Sequence, residues 1–84
     1  MDNRLEEIMS INSEMARIEK RLVYNSKLFS KWKKLWVENY NAGNRFNALE
    51  ALNKVIDCRQ KIVYYTEAKA ELEQRLTILN SRKR

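Results

Sequence analysis

Residues 27–36 (KLFSKWKKLW) carry four lysines and three aromatic rings within ten positions. Lysine ammonium groups pair with phosphates or carboxylates, whereas aromatic rings stack on bases or fill apolar interiors. On a helix, Phe29, Trp32 and Trp36 fall on one side and the lysines fall on the other. A platform for single-stranded nucleic acid mixes rings and cations on one face. We therefore predict that these rings are anchors of a core or of an oligomer interface.

The lysine side of this helix continues towards the N-terminus as a line of cations that we call the basic ridge. At ~1.5 Å per residue, the ridge is about 25 Å long. Three interpretations fit it: contacts to a phosphate backbone, docking on an acidic protein surface, or a solvated face with no partner. The candidate contacts to phosphate or to an acidic partner are Arg17, Lys20, Tyr24, Lys27, Lys31 and Lys34.

The sequence contains no combination of residues that is typical of an enzyme. It has no His, which is the commonest general base and metal ligand. Cys58 is the single cysteine, so it has neither a His partner nor a second Cys at metal or redox spacing. One glycine is too few for a glycine-rich phosphate loop. We predict a protein that is not an enzyme, with no catalytic residue and no metal, cofactor or small-molecule substrate.

Composition limits the remaining classes of protein. The 84 residues make one domain, and 17 Lys and Arg against 11 Asp and Glu give a net charge of +6, which suits an acidic partner. A lone cysteine and the lack of a signal-peptide pattern or a long apolar run predict a cytoplasmic, reducing location. Binding to a membrane surface is not predicted, because a second helix is expected to cover the apolar side of the first.

The absence of Pro and the single Gly43 favour long helices, the first over about residues 3–39. Apolar residues recur every three or four positions, and Asn25 falls within this row as a polar residue that would set the register of a coiled coil. The alternative is a break at residues 24–27, which would give a compact three-helix bundle. The residues of this helix predicted for the core or oligomer interface are Ile11, Met15, Ile18, Leu22, Phe29, Trp32 and Trp36.

A turn is predicted at residues 40–44, followed by a helix over about residues 45–80 and a basic tail at 81–84. The apolar residues of this second helix form two groups that point to nearly opposite sides. Since one hairpin offers only one neighbouring helix, the second side is expected to bind another subunit or a partner. The residues predicted here for the core or oligomer interface are Leu49, Leu52, Ile56, Val63, Leu72, Leu76 and Leu79.

The sequence thus predicts an all-α protein: a long antiparallel helical hairpin or coiled coil that oligomerises into a helical bundle. We expect a small accessory or regulatory protein that binds another protein as an adaptor, assembly factor or inhibitor. Four asparagines within residues 39–47 fit an AT-rich reading frame of a phage or mobile element. The alternative is a nucleic-acid-binding protein without sequence preference, which would use the basic ridge together with Arg82, Lys83 and Arg84.

Overall fold

A computed structural model describes residues 3–81 and shows two long antiparallel helices, α1 (Asn3–Asn41) and α2 (Arg45–Ser81). They pack along their whole length as a hairpin of 64 × 15 × 12 Å. The predicted all-α antiparallel hairpin is confirmed. Helix α1 is continuous through residues 24–27, so the chain does not form the alternative three-helix bundle. Arg82, Lys83 and Arg84 of the predicted tail lie outside the described residues.

The turn between the helices is closed by backbone hydrogen bonds around Gly43. The Gly43 N–H donates to the Tyr40 carbonyl at 3.1 Å, and the Asn44 N–H donates to the Asn39 carbonyl at 2.9 Å. These two bonds form a Schellman motif, which requires a left-handed residue, and Gly43 has a φ of 77°. The Asn44 carbonyl then accepts the Ala48 N–H at 2.9 Å and begins α2. The turn therefore sets the antiparallel direction of the helices.

The helices meet along a seam of residues spaced alternately three and four apart, which are the a and d positions of a seven-residue repeat. The buried residues of this seam are Ile11, Ile18, Asn25, Ala48, Ala51, Val55, Cys58 and Leu79. Half-buried side chains at a and d positions complete it: Ile8, Met15, Leu22, Phe29, Trp32, Trp36, Asn39, Ile62, Tyr65, Lys69, Leu72 and Leu76.

The seam of α2 differs from the expected one near the turn. The sequence indicated two apolar groups on opposite sides, but one straight line of a and d positions runs through the whole helix. Beside the turn this line consists of small and medium-sized residues, because the facing part of α1 supplies the large rings of Trp32 and Trp36; these residues are Ala48, Ala51, Val55 and Cys58. Large side chains opposite small ones keep the distance between the helices even.

Candidate functional site

The basic ridge lies on the outward side of α1, where all six of its side chains are exposed. Arg17 is within 3.7 Å of Glu14, and the Lys31 ammonium group lies 5.7 Å from the centroid of the Trp32 ring. Lys20, Lys27 and Lys34 make no ion pair with any residue between 3 and 81. The ridge is therefore an exposed line of cations whose charge is largely uncompensated within the hairpin.

The outward side of α2 has the opposite charge. Its outermost positions, c and f of the seven-residue repeat, hold four carboxylates and neither Lys nor Arg within the described residues. The hairpin thus has a basic edge along α1 and an acidic edge along α2. The carboxylates of the acidic edge are Glu50, Asp57, Glu67 and Glu71.

One broad side of the hairpin carries most of its exposed large apolar side chains. Among residues 3–81, twelve such side chains are exposed, and eight of them occupy b or e positions. In an antiparallel pair the e positions of the two helices flank the same side of the seam, and the b positions lie beside them. We call this side the apolar face; its exposed apolar residues are Leu5, Met9, Val23, Val37, Tyr40, Leu49, Ile56 and Val63.

The apolar face has hollows where small side chains lie between larger ones. On α1, a hollow beside Val23 is floored by Ser26 and Ser30, and a second continues from Ser30 to Val37. On α2, Ile56 and Val63 border another. Near the turn both helices contribute to one depression, which is lined by Trp36, Tyr40, Gly43, Arg45, Ala48, Leu49 and Leu52. The face is therefore a shaped surface with room for the side chains of another helix. Its hollows are lined by apolar residues together with basic ones, Lys27, Lys33, Lys34 and Arg59.

The other broad side, at the g positions, combines charged groups with the half-buried Leu28 and Leu35. It is crossed by contacts between the helices: Arg75 lies 3.5 Å from Glu7, and the Arg21 guanidinium donates a hydrogen bond to the Tyr65 hydroxyl at 3.2 Å. The two broad sides therefore differ mainly in their exposed large apolar side chains, most of which lie at the b and e positions.

The structure separates the residues predicted for the core or oligomer interface into two sets. Those of α1, with Leu72, Leu76 and Leu79 of α2, lie in the seam, and Leu52 is half-buried beside it. Leu49, Ile56 and Val63 lie outside the seam with 59%, 46% and 48% of their surface exposed. For these three the core is excluded, and the oligomer interface stays a prediction.

Sequence reasoning missed the α1 half of the apolar face. Val23, Ser30 and Val37 each follow a seam residue by one position, and this spacing of seven is visible in the sequence. Their small size concealed the pattern, because the neighbouring Leu22, Phe29 and Trp36 dominate the apolar periodicity. Small side chains at such positions are what allow a second helix to approach closely.

Neither helix of the described chain is long and apolar enough to cross a membrane. Residues 3–81 also contain no cluster of three or more His, Cys, Asp or Glu side chains that could hold a metal ion. Cys58 is a buried thiol of the seam. Comparison with protein-family models, with curated proteins and with solved structures gives no match for this chain.

Proposed function

We propose that this chain is a small non-enzymatic accessory protein that acts by protein–protein binding through its apolar face. The observation that carries the proposal is the gathering of eight exposed large apolar side chains on one side of the hairpin. Single apolar residues scattered over a surface are ordinary, whereas the concentration of large apolar side chains on one side indicates an interaction surface. Serving as an adaptor, assembly factor or inhibitor would each require such a surface.

The hairpin's own interior supports the need for a partner. No large side chain of residues 3–81 is fully buried, and the rings of Phe29, Trp32 and Trp36 remain partly exposed. A pair of helices has a seam but no enclosed core, so each added helix increases the apolar area removed from water. Binding a protein at the apolar face would cover Trp36 together with Leu49 and Leu52 at the depression beside the turn.

Photo-crosslinking tests the proposal. A photoreactive phenylalanine analogue replaces Ile56 on the apolar face in one variant and Tyr64, which is 66% exposed on another side of the same helix, in the control. We expect irradiation in the native cells to give protein adducts of discrete mass from position 56 and none from position 64. Mass spectrometry then identifies the attached protein. The proposal would be wrong if position 56 gave no protein adduct, or if both positions gave the same adducts.

A second candidate function is binding to a polyanion along the basic ridge. The observation that favours it is the row of exposed lysines at Lys20, Lys27 and Lys34, none of which has an ion-pair partner within residues 3–81. A line of cations about 25 Å long on one helix matches the regular charge of a nucleic-acid backbone without reading its bases.

Charge reversal of the ridge tests this second function. The variant replaces Lys27, Lys31 and Lys34 with Glu. The control replaces the exposed Lys54, Arg59 and Lys61 of α2 with Glu, so that both variants change the net charge equally. We expect the ridge variant to lose binding to single- and double-stranded oligonucleotides and to lose its salt dependence, while the control retains both. Equal loss in the two variants would indicate an effect of net charge alone and would remove the ridge from consideration.

A further inference from the structure

We infer that the apolar face binds a second copy of this chain in an antiparallel orientation, with Val23 and Val63 on the two-fold axis, to form a four-helix bundle. The inference rests on the proposed function, since it names the partner at the same face. In this arrangement α1 of one copy packs on α1 of the other, and α2 packs on α2 in the same way. The turn of each copy lies next to the two chain ends of the other. The following observations support the second copy, its direction and its register.

The area of the face is sufficient for a stable dimer. A hairpin 64 Å long and 15 Å wide offers on the order of 900 Å² from each copy, close to the roughly 800 Å² per partner of stable protein pairs. Both helices contribute the same type of residue at the same positions of the repeat, so the face has the uniform character that an isologous interface requires. The apolar stripes run from Met9 to Val37, along most of α1, and from Leu49 to Val63, along the half of α2 nearer the turn.

The distribution of charge favours the antiparallel direction. Residues 23–63, the half that contains the turn, hold eight Lys and Arg against three Asp and Glu. The remaining described residues, at the end of the hairpin away from the turn, hold six Lys and Arg against seven Asp and Glu. A parallel dimer would place the two strongly basic halves side by side, whereas the antiparallel dimer places each beside a nearly neutral half. Along the length of the hairpin, repulsion between the copies is therefore smaller in the antiparallel arrangement, although this arrangement also brings the two basic edges together.

Charged residues at e and f positions also distinguish the two directions. With Val23 and Val63 on the axis, Glu19 is level with Lys27 of the second copy, and Arg59 is level with Glu67 of the second copy. In the parallel arrangement Glu19 would instead lie opposite Glu67, and Lys27 opposite Arg59. The antiparallel register thus pairs unlike charges where the parallel one would pair like charges, which is how specific helical assemblies select their orientation.

The same register places Ile56 of one copy opposite Ala70 of the second, a large side chain opposite a small one. Ala16 lies opposite Ser30, so two small side chains meet and the α1 helices of the two copies can approach closely. Leu5 of each copy lies level with Tyr40 of the other, beside the depression at the turn.

The arrangement has a consequence for the basic ridge. Because α1 packs on α1, the ridges of both copies lie on the same edge of the bundle, and the carboxylates of both α2 helices lie on the opposite edge. The dimer would present twice the cations of one chain on a single surface. An anionic partner would therefore meet a ridge of double width, which raises local attraction along its whole length.

Disulfide trapping tests the register. Val23→Cys is made in a Cys58→Ala background, and Val37→Cys in the same background is the matched control, since Val37 is also an exposed b position of α1. We expect Val23→Cys to give a disulfide-linked dimer on mild oxidation, because the residue faces itself across the axis. Val37→Cys is expected to stay monomeric on denaturing gels, since it faces Met9 of the second copy.

Sedimentation equilibrium of the full chain supplies the second test. We expect the parent protein to have the mass of a dimer, and Val63→Glu to weaken dimerisation by more than about tenfold through a buried charge at the axis. Tyr64→Glu, at an exposed position of the same helix outside the apolar face, is expected to leave the mass unchanged. Circular dichroism of each variant verifies that the helices remain folded.

Charge exchange tests the direction independently. Glu19→Lys is expected to weaken the dimer about threefold, and adding Lys27→Glu in the same chain is expected to restore it. Glu19 also lies 3.6 Å from Lys69 of its own chain, but loss of that ion pair would not be repaired by a change at Lys27. Failure of the double variant to recover would overturn the antiparallel direction.

The outcomes separate the inference from the proposed function. A parent protein that stays monomeric at high micromolar concentration overturns the second copy as partner, and crosslinking from position 56 to a different protein would still support the proposed function. A dimer that is trapped only by Val23→Cys together with Val63→Cys overturns the register, since the parallel arrangement places these two residues opposite each other. A parent protein that stays monomeric and gives no crosslink from position 56 overturns both the inferred dimer and the proposed function.

Discussion

The Asn25 side-chain amide donates a hydrogen bond of 2.8 Å to the Arg21 carbonyl, one turn earlier in the same helix. Asn25 is a d position of the seam and only 5% exposed, so a polar group lies at the centre of the contact between the helices. Its amide nevertheless bonds within α1 and not across to α2. Asn39, another d position, repeats this arrangement by donating to the Leu35 carbonyl at 2.8 Å.

This relationship predicts that Asn25→Leu stabilises the hairpin. The Arg21 carbonyl belongs to the regular helix ladder, so removing the amide leaves it with a backbone partner, while a leucine adds buried apolar surface. We expect the free energy of unfolding to rise by about 1–2 kcal/mol, as measured by urea denaturation. Asn39 is only half-buried, so Asn39→Leu should raise the free energy of unfolding by less. A less stable Asn25→Leu protein would show that the asparagine aligns the helices.

Trp32 is expected to be a principal contributor to the stability of the seam. Its ring lies 6.0 Å from the Lys54 ammonium group across the hairpin and is half-buried. We expect Trp32→Ala to lower the free energy of unfolding by about 3 kcal/mol, the lower end for a large buried ring. Lys54→Ala should lower it by only about 0.5 kcal/mol through loss of the cation–π contact. Phe46→Ala, at a side chain 77% exposed, is the control, and an equal effect there would contradict the assignment.

Ala51 is expected to tolerate no larger side chain. It is 2% exposed and lies in the part of the seam that faces the large rings of α1. Ala51→Leu should lower the free energy of unfolding by about 1–3 kcal/mol, because the extra atoms would force the helices apart. Asn53→Leu, at an outward position of the same helix, should change stability little. Greater stability of Ala51→Leu in thermal unfolding would mean that the seam is not where the structure places it.

Gly43 is expected to be sensitive to substitution because of its backbone conformation. Its φ is 77°, and a Cβ added there would meet no atom within 4 Å, so only the left-handed backbone disfavours a side chain. Gly43→Ala should lower the free energy of unfolding by about 1–2 kcal/mol. Gly43→Asn should lower it less, since asparagine adopts this conformation more readily. Equal stability of all three proteins in urea denaturation would contradict this explanation.

Much of the fold could be predicted from local features of the sequence. The lack of proline, the glycine in the "NYNAGNRF" turn and the regular apolar row of α1 were enough to indicate two long antiparallel helices. Each of these features acts on residues close to it in the sequence. The helices could therefore be predicted without knowledge of tertiary contacts. The side of α1 on which the basic ridge lies follows from the same helical periodicity.

The seam of α2 was decided only by tertiary structure. Counted by size, Leu49, Ile56 and Val63 are the stronger apolar stripe, yet Ala48, Ala51 and Cys58 occupy the contact with α1. The rings of Trp32 and Trp36 fill the space between the helices, so α2 must present small side chains to them. Because the small residues of α2 face α1, the larger residues point outwards and form the α2 half of the apolar face. The sequence by itself thus determined the helices and their direction, while packing against the facing helix decided which stripe is buried and which is left for a partner.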